Sequence, residues 1–336
     1  MILLTGANGL IGSAIARKFL AEGMAVRALK RPASDLSLVQ DIAPLMEWVE
    51  GDILDVLSLE KAIAGCEYVV HAAAVVSFLP KEKELLYRVN VEGTANVVNV
   101  CLREKGIKLT YISSIAALGR VTPGSNQRGI VTIDENAKWE ESPLNTHYAR
   151  SKYQGELEVW RGISEGLSAV IVNPSIVLGE GDWDKSSTAL FKYVFDEKPF
   201  YTSGILNYVD VKDVVEAIYQ LTINDIKEER FIVNGGYTTY QHFFSLIAQY
   251  SGKKAPRYRV TPFLAEVAWR WEAIKAWFTG KSPLVTKETA KSSQQQFQYS
   301  AHKVQSTIGM KFRTLEETTQ RITQVLLQKK TPGRTL

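Results

Sequence analysis

The chain has 336 residues and a nearly balanced charge, with 40 Lys and Arg against 36 Asp and Glu for a net +4. That length allows a large core and two lobes, and the lack of a long basic run argues against a nucleic-acid partner. Two cysteines, Cys66 and Cys101, are too few for a disulfide framework, the four histidines have no metal-ligand spacing, and no run reaches the roughly 18 apolar residues of a membrane span.

A short apolar strand at the N-terminus runs straight into Gly6, Gly9 and Gly12, and the spacing predicts a helix over roughly Leu10 to Ala21, with Gly23 as its C-cap. Met24–Leu29 reads as the second strand and Met46–Val49, ending in Gly51-Asp52, as the third. A helix at Val56–Ala64, a buried strand at Tyr68–Ala73, one long helical stretch over Lys81–Glu104 and a strand at Ile107–Ser113 follow. The Pro-, Gly- and Ser-containing stretch from Gly119 to Asn145 reads as a loop. Beyond it come a helix carrying Tyr148 and Lys152, then the strand Ser168–Asn173.

After Pro174 the alternation weakens, apart from a helix at Val211–Leu221 and a strand at Arg230–Val233. This order predicts an α/β fold, a doubly wound parallel sheet of the Rossmann type with a smaller, discontinuous C-terminal substrate lobe. The nucleotide-binding domain is expected at 1–174 and 205–235, and the substrate lobe at 175–204 and 236–328. Phe263, Val267, Trp271, Ile274 and Phe278 recur at helical spacing. They predict a lobe helix burying an aromatic face, with a membrane-surface helix as the alternative. The basic residues from Lys329 to Leu336 are expected to fray. No signal peptide precedes the first strand, so a cytoplasmic protein with reduced, buried thiols is expected, as a monomer or homodimer without a transmembrane segment.

Strand, glycine turn and helix together can cradle a pyrophosphate. The glycines let the backbone approach, and the helix offers free N–H groups and the positive end of its dipole. The end of the second strand distinguishes NAD from NADP. A ribose-binding carboxylate is missing there, and Arg27-Ala28-Leu29-Lys30-Arg31-Pro32 places cations instead, with Asp35 as a distant counter-candidate. Arg31 suits a 2′-phosphate best, because a guanidinium binds phosphate in a bidentate way. A solvated basic loop is the plain alternative. NADP is therefore favoured, with NAD possible.

The spacing Thr5-Gly6-x-x-Gly9-x-x-Gly12, taken with Tyr148-Ala149-Arg150-Ser151-Lys152, resembles the extended branch of the short-chain dehydrogenase/reductase superfamily. That branch includes the NAD-dependent epimerase/dehydratase family, and the stretch through Arg31-Pro32 resembles its dihydroflavonol-reductase-like members. The resemblance implies a catalytic Tyr148 and Lys152, one turn apart on a helix face, with Ser114, rather than Ser113, as the third member at the end of its strand. It implies cofactor contacts from Gly6, Asn8, Gly9, Leu10 and Ile11 of the loop, from Arg31, from Asp52 and Ile53, and from Ala72, Ala73 and Ala74 after His71. It also implies contacts from Ser113, Tyr148, Lys152, and Pro174, Ser175, Ile176 and Val177. Asn90 matches a helical Asn that supports the fold, and Asp210 is expected to cap a helix.

A carbonyl-reducing reading follows. A free phenol has a pKa of about 10, and a neighbouring Lys152 ammonium is expected to lower it. Tyr148 would exchange a proton with the substrate oxygen while hydride moves to or from nicotinamide. Ile115-Ala116 stand where dehydratases of this branch carry Asp-Glu, which argues against elimination chemistry. The substrate is expected to be a small-molecule hydrophobic ketone or aldehyde, or the corresponding alcohol. Val76, Phe78, Trp183 and Tyr201 are expected to line its site, with Val75, Leu118 and Phe191 nearby. The alternative is a nucleotide-sugar epimerase with retained cofactor, for which Lys185, Lys192, Arg257 and Arg259 are candidate diphosphate contacts. Glu180, Asp182 and Asp184 are expected to repel such a diphosphate. A third reading is an NADP-binding sensor or scaffold without turnover, against which the intact Ser-Tyr-Lys set argues. No metal is expected.

Overall fold

Strands that are apolar on both faces suit only a sheet covered by helices on each side. Four strands of this chain have that pattern: β1 (Ile2–Thr5), β4 (Tyr68–His71), β5 (Lys108–Ile112) and β7 (Ser168–Pro174), each buried along nearly its whole length. The computed structural model describes residues 1–119, 130–142, 144–183, 187–261 and 297–330. With β2 (Val26–Lys30), β3 (Glu47–Glu50) and β11 (Glu229–Val233), these strands build a seven-stranded sheet in the order β11-β7-β5-β4-β1-β2-β3. Every pairing within it is parallel. The outer strand β3 exposes Glu47 and Glu50, charges that discourage edge-to-edge association.

Helices cover both faces. On one, Ile15 and Phe19 of α1 (Leu10–Ala21) pack with Val214, Ile218 and Leu221 of α7 (Val211–Ile223). On the other, Leu59 and Ile63 of α2 (Val56–Ile63), Val97 and Val98 of α4 (Gly93–Arg103) and Val159 of α5 (His147–Ser164) form a second layer. The strand order reverses between β1 and β4, so the loops after these two strands diverge. That opens the crevice in which sheets of this class bind ligands. The expected doubly wound parallel sheet is the one observed.

The long helical stretch before Glu104 is interrupted. A 3₁₀ turn (Pro80–Glu82), α3 (Lys83–Tyr87) and a π turn (Arg88–Glu92) precede α4. Asn90 lies in the π turn, 1% exposed, and clamps the peptide of Val75 from both sides: Val75 N donates to its Oδ1 at 2.8 Å, and its Nδ2 donates to Val75 O at 2.9 Å. The wider turn aims this side chain at the strand-end loop, in line with a supporting role.

A smaller third core gathers Phe191 and Phe195 of α6 (Thr188–Phe195), Phe243 and Ile247 of α8 (Tyr240–Ser251), and Ile322 and Leu326 of a C-terminal helix at Leu315–Lys330. Beside it, β8 (Ile176–Leu178), β10 (Ile205–Asp210) and β12 (Gly236–Thr239) form a separate sheet. Thus β10 pairs here and not with the seven-stranded sheet. Asp210 caps α7, its carboxylate accepting from Lys212 N at 2.8 Å, as expected. Inside the stretch read as a loop, β6 (Val131–Ile133) pairs in parallel with β14 (Phe297–Tyr299). The helix expected over 262–278 lies outside the described residues, as do Asp184 and Lys185.

Candidate active site

The loop after β1 is shaped by contacts that only glycine allows. Gly6 has φ +73°, and a Cβ there would lie 2.7 Å from Ala73 N; a Cβ on Gly12 would lie 1.9 Å from Gly6 O. These two glycines press the loop against the β4 end and against its own helix. At Gly9 a Cβ would meet only Gly6 O, at 3.5 Å, so the front of the loop is open. Gly9 is also the N-cap of α1, and no side chain caps that helix. The first N–H groups of an α-helix have no partner inside the helix, so those of Leu10 and Ile11 are available to a ligand. This cradle fits a pyrophosphate.

The loop is fixed from below by a buried histidine. His71 is fully buried and hydrogen-bonds Thr5 Oγ1 at 2.7 Å and Thr94 Oγ1 at 3.1 Å. Thr5 Oγ1 in turn accepts from Ala73 N at 3.2 Å. Burial, aided by the nearby Lys152 charge, lowers the imidazole pKa to about 3, so His71 is a neutral strut.

Two further turns follow β2 and β3. Asn8 Nδ2 donates to Asp35 O at 3.2 Å, which ties the glycine loop to the turn after β2. Arg31 opens that turn, its N–H donating to Ser34 Oγ at 3.1 Å; its side chain is exposed and makes no ion pair among the described residues. Asp52 is half-buried, with Oδ1 accepting from Leu54 N at 3.0 Å, and Ile53 packs under Gly93. Ala72 and Ala73 are partly buried beside the loop, and Ala74 is exposed. On the far side Pro174 ends β7, and Ser175 N donates to Val233 O at 3.0 Å. The buried Ser175 hydroxyl has no protein partner. Ile176 and Val177 continue into β8.

Ser114, Tyr148 and Lys152 lie around the end of β5. Thr146 caps α5 by accepting from Ala149 N at 3.0 Å, which starts the helix at His147 and places Tyr148 and Lys152 on one face. Ser114 follows β5, and its hydroxyl lies near enough to the Tyr148 phenol to draw the phenol pKa down. The same Oγ accepts from Ala116 N at 3.2 Å, capping the short turn Ile115–Leu118. Lys152 is 2% exposed. Its Nζ donates to Ile112 O at 2.8 Å and lies 4.8 Å from the Tyr111 ring centre. Phe78 meets the Tyr148 ring edge-on at 5.8 Å.

One electrostatic expectation fails. The phenol was expected below its usual pKa, yet burial pushes the Tyr148 phenol up and only the Ser114 hydroxyl draws it back. Burial also lowers the Lys152 amine to about 7, against the opposing pull of Glu156. Without a ligand, burial therefore favours the protonated phenol and the neutral amine.

The expected substrate residues divide. Phe78 is beside Tyr148 and Val76 is 59% exposed at the same loop. Trp183, by contrast, packs edge-on against Phe195 at 5.0 Å, and both it and Tyr201 rest on the third core. Glu180 is paired with Arg321, which also grips Asp210 in a bidentate way at 2.9 and 2.8 Å. Arg321 thus serves two carboxylates, so its pairing offsets the Glu180 charge only in part. Lys192 pairs with Asp196 at 2.9 Å, and Arg257 and Arg259 are exposed.

Sequence reasoning missed a buried carboxylate. Glu156 is 2% exposed; Oε2 accepts from Ser113 Oγ at 2.7 Å and from Asn173 Nδ2 at 2.8 Å, and Oε1 accepts from Arg230 Nη1 at 3.2 Å. The Ser113 hydroxyl is thus committed to Glu156. The missed signal was the position of Glu156, four residues beyond Lys152 and so on the same buried helix face.

An open glycine loop at the switch point of a doubly wound parallel sheet is the frame of an extended short-chain dehydrogenase/reductase. Residues 2–234 match the model of the NAD dependent epimerase/dehydratase family, and the chain belongs to that family. It is 32% identical over 315 residues to a Synechocystis protein provisionally named dihydroflavonol 4-reductase, covering 91% of this chain and 89% of the relative. It is 29% identical to sterol demethylase protein B of Methylococcus capsulatus, over 79% of this chain and 78% of that protein. Among solved structures, gox2253 superposes with a TM-score of 0.81 at 30% identity, over 98% of both chains.

Proposed function

We propose that this chain is an NADPH-dependent reductase of a hydrophobic ketone or aldehyde, or the alcohol dehydrogenase that runs the reverse reaction. The observation that carries this reading is the meeting of Ser114, Tyr148 and Lys152 at the end of β5, one strand away from the β4 loop that abuts the glycine cradle. The cofactor, when bound, supplies the hydride. Ser114 donates a hydrogen bond to the carbonyl oxygen and polarises it. Tyr148, kept protonated by burial, gives its proton to the same oxygen as negative charge develops there. Lys152 holds ribose hydroxyls and stabilises the phenolate left behind, which regains a proton from solvent. Arg31 receives the 2′-phosphate. Phe78 and Val76 offer apolar surface to the substrate, in keeping with the flavonol and sterol names of the relatives.

Because Arg321 offsets part of the Glu180 charge, a second reading is kept, a nucleotide-sugar epimerase with retained cofactor. Two measurements separate them. The reductase consumes NADPH with aromatic ketones or aldehydes and releases its cofactor during purification. The epimerase keeps its cofactor and is stabilised by a nucleoside diphosphate alone. An NADP-binding protein without turnover gives neither result. Tyr148→Phe should lower turnover by roughly 10² or more with NADPH affinity nearly unchanged; wild-type turnover in that variant overturns the assignment.

A further inference from the structure

Glu156 is a buried charge that the reading above does not use. It sits one helical turn beyond Lys152 and gathers groups from three separate strands. Ser113 comes from the end of β5, Asn173 from β7 and Arg230 from β11. Each of the three peptides at the reactive strand end is held. Ile112 O accepts from Lys152 at 2.8 Å, Ser113 Oγ donates to Glu156 at 2.7 Å, and Ser114 O accepts from Asn173 Nδ2 at 3.0 Å. The same Asn173 Nδ2 also donates to Glu156. Arg230 is in turn anchored by the carbonyls of Glu135 and Ala137. A buried carboxylate lacking such donors would be strongly disfavoured, so the network and the charge require each other.

We propose that Glu156 is the positioning residue of this active site: its carboxylate locks the Ser113–Ser114 strand end to helix α5, the helix that carries Tyr148 and Lys152. This inference rests on the reductase reading. The groups facing Lys152 are Tyr111 on β5, His71 on β4, and Tyr148 and Glu156 on its own helix. Tyr111 is kept protonated and His71 neutral by burial. Among the described residues Glu156 is therefore the anion that holds Lys152 up against desolvation. Arg230 faces Glu156 from β11, its Nη1 donating to Oε1 at 3.2 Å.

The test compares Glu156→Gln, Glu156→Asp and Tyr148→Phe in the full chain. It records melting temperature, NADPH affinity and pH profiles of kcat and KM. Glu156→Gln should melt as a folded protein, lose on the order of tenfold in kcat, and move the alkaline limb of its profile down by about one pH unit, the scale expected for one nearby charge. Glu156→Asp keeps the charge and should keep the limb in place while losing kcat. A purely structural role would lower stability and leave the limb unmoved. If Glu156→Gln does not fold, Ser113→Ala removes one arm of the clamp and leaves the buried charge; it should lower kcat several-fold with NADPH affinity unchanged. Wild-type kcat and limb in Glu156→Gln, or wild-type kcat in Ser113→Ala, overturn the proposal. Tyr148→Phe keeps the two failures apart: if it abolishes turnover while Glu156→Gln is silent, only the positioning role falls, and if it too is silent the reductase reading falls with it.

Discussion

Replacing Arg31 by alanine is expected to change which cofactor the protein prefers and little else. The side chain is exposed and has no ion pair among the described residues, so its loss removes no folded-state contact. Surface substitutions of that kind stay within about 0.5 kcal/mol, and the melting temperature should hold. The turn itself survives, because Arg31 contributes its backbone N–H to Ser34, and Asn8 reaches Asp35 through the main chain. NADPH loses a charge-assisted phosphate contact worth roughly 1.5–3 kcal/mol, which is about 10- to 100-fold in affinity. NADH has no phosphate there and should bind Arg31→Ala as it binds the parent. Because the site is open, raising the salt should weaken NADPH binding to the parent more than to the variant. Fluorescence titration of both cofactors into both proteins, at low and high salt, gives the eight constants. Equal losses for NADPH and NADH, or no loss for either, would refute the phosphate role and return Arg31 to the solvated loop.

Gly12→Ala places a methyl 1.9 Å from Gly6 O, so α1 must shift from β1; a melting temperature equal to the parent's would contradict this packing. Overpacking of this kind costs about 1–3 kcal/mol, and dinucleotide affinity should fall with it. Lys152 supplies a pH test. Its folded pKa of about 7 lies below the ordinary lysine value of 10.5, so between those values the unfolded chain binds more protons and stability should rise with pH. Below about pH 7 the burial penalty is fully present. Denaturant unfolding of the cofactor-free protein should show this rise, and Lys152→Met should lack it. Cys66 and Cys101 are buried and their thiol pKa values raised, that of Cys101 to about 12, so neither should react with a thiol reagent until the protein unfolds; rapid labelling of the native protein would count against this.

The features legible in the sequence are those encoded over short spans. Gly6, Gly9 and Gly12 announce a turn because backbone sterics forbid a side chain at two of these positions. Tyr148 and Lys152 announce a shared face because the helix repeat places residues four apart together. Apolar runs such as Leu3–Leu4 and Ala169–Val172 announce strands covered on both sides. What the tertiary structure alone decided depends on partners far apart in the chain. The pairing of Val131 with Phe297 joins two three-residue strands too short to show a period. Arg321, far along the chain, pairs with Glu180 and offsets part of the charge expected to repel a diphosphate. Trp183 and Tyr201 fill a core that local sequence cannot tell from a binding wall. Tyr148 keeps its proton and Lys152 approaches neutrality because desolvation is set by what surrounds a group, not by its neighbours along the helix. Glu156 has the same origin: its spacing places it on the buried face, but only the convergence of β5, β7 and β11 brings Ser113, Asn173 and Arg230 to a carboxylate that would otherwise be too costly to bury.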